Sequence, residues 1–286
     1  MRNQPISRRG FLAAAGAAPF VTSLARAAGK PGALPVGLEM YSVRDDETRD
    51  RMGTLRAVAD MGYEGVEFYG PYSEWTPAYA KEVRKHLDGL GLRCFSTHTR
   101  AAGYKAENLP RVIELNQILG SRYVVMASPG EVAGPDGWKA VAETLSAAHE
   151  TMKPAGLRVG YHNHELEWKT LPGDRRPIDV LTAGTPADLM FQLDVGNCLA
   201  GGGDPLAFVK ANPGRLRSYH VKDWSPEPDR GYKVLLGEGV APWKDLLAAA
   251  EGRGGAEYYL IEQEGSRFTP LETARRCLEN FRRLRG

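Results

Sequence analysis

The segment YHNHELEW, residues 161–168, carries His162 and His164 two positions apart at the end of an apolar run. Other short apolar runs end in or contain Glu39, Glu67, His98, Asp194, His220 with Lys222 and Asp223, and Glu262 with Glu264. Four of the six histidines, His98, His162, His164 and His220, fall at such ends. If the runs are strands, side chains alternate along them, so His162 shares a face with His164, His220 with Lys222, and Glu262 with Glu264. A ring of His, Asp, His and Glu on adjacent strands is a mixed nitrogen and oxygen set suited to one divalent cation, Mn²⁺, Zn²⁺, Co²⁺ or Mg²⁺. A purely structural apolar wall has no use for such a ring.

The elements that must position these residues are legible from periodicity. After residue 35, eight short runs rich in β-branched and aromatic residues recur: VGLEMYSV, GVEFY, RCFSTH, YVVMAS, RVGYHNH, FQLDVG, SYHVKD and YYLIEQE. Between them lie segments whose apolar residues return every three or four positions, such as PAYAKEVRKHLDGLG and PLETARRCLENFRRL. Several of these end at a glycine, as at Gly62, Gly91, Gly120 and Gly156, which predicts helix stops. Alternating strands and helices over about 250 residues predict an α/β fold, a single-domain (β/α)₈ TIM barrel. A doubly wound sheet is the alternative, but the first turn lacks its glycine-rich signature. In such a barrel the site forms at the carboxyl ends of the strands, so the irregular pieces EWKTLPGDRRP and SPEPDRGYKVLLGEG, after strands five and seven, are expected on the active face.

The motifs GYEGVEF, YHNHELEW, LDVGN, HVKDW and IEQE, in this order and spacing, resemble those of the sugar isomerase/epimerase-like barrels related to xylose isomerase. That family includes ketose 3-epimerases, hydroxypyruvate isomerase, inosose dehydratase and endonuclease IV. The resemblance covers the whole chain after the N-terminal segment. It implies one divalent metal ion held by His162, Asp194, His220 and Glu262. It also departs from the epimerase pattern, because the strand-five ligand there is usually Glu and here is histidine. In that respect the chain resembles the inosose dehydratase branch, whose strand five also reads Tyr-His-x-His and whose strand seven ends His-x-Lys-Asp.

The activity so implied is rearrangement or elimination next to a carbonyl of a keto-sugar or polyol derivative, through a metal-stabilised enediolate. An isomerase or epimerase is the first reading; a dehydratase or lyase acting on an oxidised sugar, such as a 3-keto-glycoside, is the alternative. Glu262 is the first candidate base and His164 the second, with His98 and Lys222 as further catalytic groups. Glu67, Asn197, Glu264 and Trp224 are candidate substrate-binding residues. Either His162 or His164 could be the strand-five ligand. His86 and His149, inside helical segments, are assigned structural hydrogen-bonding roles, and Tyr41, Phe68, Tyr69 and Trp168 serve either as a sugar-facing wall or as packing. A non-catalytic sugar-binding barrel is a further class.

Composition narrows the partners. The net charge is +2, so no strong field argues for nucleic acid or an anionic membrane as partner, and the partner implied by the resemblance is a small sugar substrate. An endonuclease IV-like phosphodiesterase needs three metals, more histidines and a basic groove. Self-association stays open. Three cysteines, Cys94, Cys198 and Cys277, with no CxxC spacing give no disulfide framework. At the N-terminus, Arg8 and Arg9 precede an Ala-rich stretch ending in Ala25-Arg26-Ala27. This resembles a twin-arginine export signal at residues 1–27, with the barrel at 28–286, and implies a periplasmic or secreted protein.

Overall fold

A computed structural model describes residues 33–286 apart from residue 174. The export signal expected at residues 1–27 lies outside the described residues. Eight strands form: β1 (Val36–Glu39), β2 (Gly65–Phe68), β3 (Arg93–Arg100), β4 (Tyr123–Ser128), β5 (Arg158–His162), β6 (Met190–Asp194), β7 (Ser218–Val221) and β8 (Tyr258–Ile261). Each pairs in parallel with the next, and β8 closes on β1. The expected (β/α)₈ barrel is therefore present. Its short strands β1, β2, β7 and β8 are buried at every position, because a parallel strand is covered by helices outside and by its barrel mates inside.

The covering helices come in order: α1 (Arg44–Arg49) and α2 (Arg51–Met61) after β1, α3 (Pro77–Leu90) after β2, α4 (Leu109–Leu119) after β3, and α5 (Gly134–Met152) after β4. Then come α6 (Pro177–Gly184) after β5, α7 (Val195–Ala200) and α8 (Pro205–Ala211) after β6, α9 (Trp243–Ala249) after β7, and α10 (Pro270–Leu284) after β8. α3 shows why such segments become helices. The Thr76 side chain accepts from the Tyr79 amide at its start, a cap that contributes about 1 kcal/mol. Ala80, Val83 and Leu87 form its buried stripe, and Gly91 ends it in the left-handed conformation at φ 64°.

Five strands stop at least two residues before their sequence runs do. Those runs continue to Val43, His164, Gly196, Asp223 and Glu264, whereas the ladder stops at Glu39, His162, Asp194, Val221 and Ile261. Past the last paired residue the backbone finds other partners: one 3₁₀ turn spans Met40–Val43, and the Asp194 side chain accepts from the Asn197 amide and starts α7. His164, Lys222, Glu262 and Glu264 thus stand on the loops just above the barrel.

The three cysteines are buried and unpaired, and burial pushes the Cys94 thiol up to about 12 and that of Cys277 to about 11. Among the described residues no helix is long and apolar enough to cross a membrane.

Candidate active site

Alternation brings Glu39, Glu67, His98, His162, Asp194 and His220 to the inside of the barrel near its carboxyl end, and all are buried. Register sets them side by side: Glu39 is opposite Glu67, and Asp194 is opposite His220. Gln192, opposite His162 and two residues before Asp194, joins them. Sequence reasoning passed over it, although the same period of two that selected Asp194 also points to Gln192.

Gln192 decides the protonation of its neighbours. Its amide nitrogen donates to Glu67 Oε1 at 2.9 Å and to Ser218 Oγ at 3.1 Å. An ionised carboxylate only accepts, so the amide cannot be turned the other way. Gln192 Oε1 therefore receives hydrogen bonds from His98 Nε2 at 2.7 Å and from His162 Nδ1 at 3.0 Å. With Nδ1 carrying the proton, His162 Nε2 keeps its lone pair, and it lies 4.0 Å from Asp194 Oδ2. Burial, with His220 and His98 alongside, holds the His162 ring well below its ordinary pKa and so neutral.

The other three members of the expected set are arranged alike. Asp194 Oδ1 accepts from the Asn197 amide at 2.7 Å, while Oδ2 is buried with no hydrogen-bond partner among the described residues. His220 has Nε2 held by Glu67 Oε2 at 2.7 Å and Nδ1 turned to Glu262 Oε2 at 2.5 Å. Glu262 Oε1 is held by Lys222 Nζ at 3.2 Å. Each of the four side chains thus has one atom tied from behind and another facing its neighbours. One ligand atom from each lies within 4.8 Å of all the others. Ligands at ~2.0–2.2 Å from a divalent cation are roughly 3–4.4 Å apart, so little adjustment is needed.

Electrostatics point the same way. Burial raises Asp194 to about 6 against the pull of Lys222, with the Glu262 carboxylate adding to the rise. Burial also raises Glu39, helped by Glu262 and Glu67, so it is held well above the usual carboxylate range as a neutral acid. Glu262 itself is held well below that range, since Lys222 and the His220 hydrogen bond override the effect of burial. Buried carboxyls outnumber the cations beside them, and an orphaned oxygen faces their centre. A divalent cation fits this donor set. Two other groupings, His98 with His162 and His220, and Glu39 with Glu67 and His98, are equally close. In both, nitrogens or oxygens needed for the metal are already engaged by Gln192 or Glu67.

Above the set opens a cavity of about 260 Å³. Of the expected site residues, His98, His162, His164, Glu262 and Glu264 line it. Asp194, His220 and Lys222 stand behind that wall, almost wholly buried. Glu67, expected to bind substrate, lies beneath it as the partner of Gln192, His98 and His220. Its carboxylate is lowered in spite of burial by His98 and His220.

Lys222, fully buried, bonds Glu264 and lies 3.6 Å from Asp194 Oδ2. Asp223 faces the other way. It accepts from the amides of Trp224, Gly237, Gly239 and Ala241 and from the Trp243 indole, which ties down the whole loop after β7. From that loop Tyr232, which the sequence did not single out, places its ring 4.7 Å from Lys222 Nζ. Its hydroxyl lies 2.8 Å from both Glu165 Oε1 and Asn197 Oδ1. Asn197 is therefore engaged by Tyr232 rather than on the cavity wall. Trp224 is also off the wall, its carbonyl accepting from the Val240 amide.

Tyr41 and Tyr69 line the cavity, whereas Trp168 is buried against Phe208. His149 is buried, accepting from the Val159 amide and facing Asp188, and His86 bonds the Met52 carbonyl. Both have hydrogen-bonding roles away from the cavity.

A model of the family described as xylose isomerase-like TIM barrel matches residues 55–284. Among solved structures, a sugar phosphate isomerase/epimerase from Parabacteroides distasonis ATCC 8503 is similar at 24% identity and a TM-score of 0.75, over 90% of this chain and 97% of that one. The IOLI protein with a bound zinc atom is similar at 13% identity and 0.68, over 88% and 98%. A protein described as the probable 3-DHS dehydratase AsbF of Bacillus anthracis is similar at 13% identity and 0.67, over 87% and 98%. These likenesses show a shared fold. No curated protein matches the chain.

Proposed function

Because the chain belongs to the xylose isomerase-like TIM barrel family, we propose that it is a metal-dependent isomerase or epimerase acting next to the carbonyl of a keto-sugar or polyol derivative. The observation that carries this reading is the inward-facing quartet His162, Asp194, His220 and Glu262, each with its second polar atom held from behind. Such outer partners orient ligands and set their protonation. A divalent cation bound there would stabilise negative charge growing on the substrate's carbonyl oxygen.

The chain's own residues supply the rest. Glu262, ionised and on the cavity wall, is placed to accept a proton from the carbon beside the carbonyl. His164, at the mouth with its ring 4.8 Å from that of His162, is the second candidate base. His98, fixed through Nε2 by Gln192, holds a substrate hydroxyl. Lys222 acts from behind Glu262 and keeps it charged. The paired Arg8 and Arg9 add export by the twin-arginine route to this reading.

Two observations favour a second reading, elimination of water or an aglycone. His162 replaces the second carboxylate that two-base epimerisation uses, and the neutral Glu39 on the cavity wall could protonate a leaving oxygen. One experiment tests both readings: metal analysis of the folded protein, then incubation of the metal-loaded protein with a panel of keto-sugars and 3-keto-glycosides in D₂O. Deuterium at the α-carbon with retention of all oxygens supports the isomerase or epimerase. Release of water or aglycone supports the lyase. A stoichiometrically loaded protein that exchanges no α-hydrogen would sink both.

A further inference from the structure

We infer that the substrate carries an anionic group, a carboxylate or a phosphate, held by Arg100; this rests on the cavity being the reaction site. The four candidate ligands come from β5 to β8, on one side of the cavity. The other side is built by the ends of β1 to β4 and includes Tyr41, Tyr69, Arg100 and Ser128. Arg100 is the only Lys or Arg among the described residues of that wall.

The strand places it there. β3 is the longest strand, with eight residues, and Ser96, His98 and Arg100 share its inner face by alternation. Thr99 points the other way, its hydroxyl 2.5 Å from that of Tyr72. The ladder with β4 shifts register between Thr99 and Arg100, so that Arg100 pairs with Ser128. Arg100 thus stands one layer above His98, about 7 Å further along the strand.

Its guanidinium is unclaimed. The Arg100 side chain is exposed and forms no ion pair or hydrogen bond among the described residues. Lys222, the other cation near the site, is buried and bonded to carboxylates. Gly70 lies beside Arg100, where a Cβ would be in ordinary contact with Nε at 3.5 Å.

A neutral hydroxyl exchanged for water gains little from such a group. A carboxylate or phosphate gains two parallel charge-assisted bonds and a fixed orientation. The orientation matters, because the opposite wall carries Glu262 and Glu264 and would repel the same group.

The test measures binding of D-fructose, D-fructose 6-phosphate and D-fructuronate to the metal-loaded full chain by calorimetry, for the parent and for Arg100→Gln and Arg100→Lys. At least one anionic ketose should bind about tenfold more tightly than fructose. Arg100→Gln should reduce that preference to within about twofold, Arg100→Lys should retain part of it, and whether phosphate or carboxylate wins identifies the anion. Equal binding of the three ketoses, no binding of any, or a preference that survives in Arg100→Gln would overturn the inference. Deuterium exchange on the same samples separates it from the functional reading. Exchange on fructose without an anion preference refutes Arg100 alone, whereas an Arg100-dependent preference without exchange refutes the isomerase and lyase readings alone.

Discussion

Within a few ångströms along its own strands, the barrel interior changes from an apolar plug to a polar network. The lower layer is Phe95, Tyr123, Val125, Met190, Tyr258 and Leu260. The upper layer is Glu39, Glu67, His98, His162, Gln192, Asp194 and His220, all buried. The same strand contributes to both: β6 carries Met190 below and Gln192 and Asp194 above.

The lower layer is solved by shape. The ladder between β2 and β3 shifts register between Val66 and Glu67, skipping Phe95, and Phe95 packs inside against Tyr258 with ring centroids 5.1 Å apart. Gly65 is what admits it, since a Cβ there would come within 2.6 Å of the ring and 2.7 Å of the Arg93 carbonyl. The upper layer is solved by partners. Glu67 serves Gln192, His98 and His220 together, so no member changes without stranding another. Burying such groups costs stability unless every bond is made. Asp194 Oδ2, with no hydrogen-bond partner among the described residues and Lys222 Nζ 3.6 Å away, is the least satisfied atom of the set.

The contrast can be broken by substitutions with opposite signatures. The largest effect is expected from the Asp194→Ala, His220→Ala double variant, which should lose stoichiometric metal and about a thousandfold or more in α-hydrogen exchange while keeping the far-UV spectrum of a barrel. A double variant that still holds one metal per chain would move the centre elsewhere.

Next in size, Met190→Ala in the plug should cost roughly 2–5 kcal/mol in denaturant unfolding and leave metal content unchanged. If it lost metal instead, the two layers would be one cooperative unit.

The smallest effect concerns pH. Asp194 has its folded pKa raised by burial to about 6 from the ordinary 3.8. Its contribution to the stability of the metal-free protein is therefore fully present below about 4 and lost as pH rises through about 6. Cation binding needs the carboxylate and runs the opposite way, so metal affinity should fall about tenfold from this group between pH 7 and pH 5. Calorimetry in buffers of different ionisation enthalpy would show the accompanying proton release. A flat profile would mean that Asp194 is already ionised, and the upper layer better compensated than its geometry implies.

Much of this is legible in the sequence. The eight runs and their glycine stops name the barrel, because β-branched alternation and three-to-four periodicity are local properties. The quartet His162, Asp194, His220 and Glu262 was legible from residue type and position at the ends of those runs together with the family resemblance. Other features were not. Alternation continues in sequence beyond the last ladder bond, so Lys222 and Glu264 read as strand although they stand on loops. Gln192 reads as an ordinary core position, and Tyr232 sits in a loop with no period to betray it. Asp223, next to Lys222, carries no local sign that it anchors the β7 loop rather than the site.

By itself, then, the sequence determined the fold class, the order of the elements and which side chains could serve a cation. Only the tertiary structure decided which atom of each is held and which is left facing inward. Those choices rest on partners far along the chain: Gln192 is 94 residues from His98, and Glu67 is 153 from His220. Periodicity is written between neighbours, but a hydrogen bond that fixes a tautomer exists only once closure of the barrel brings its two ends together.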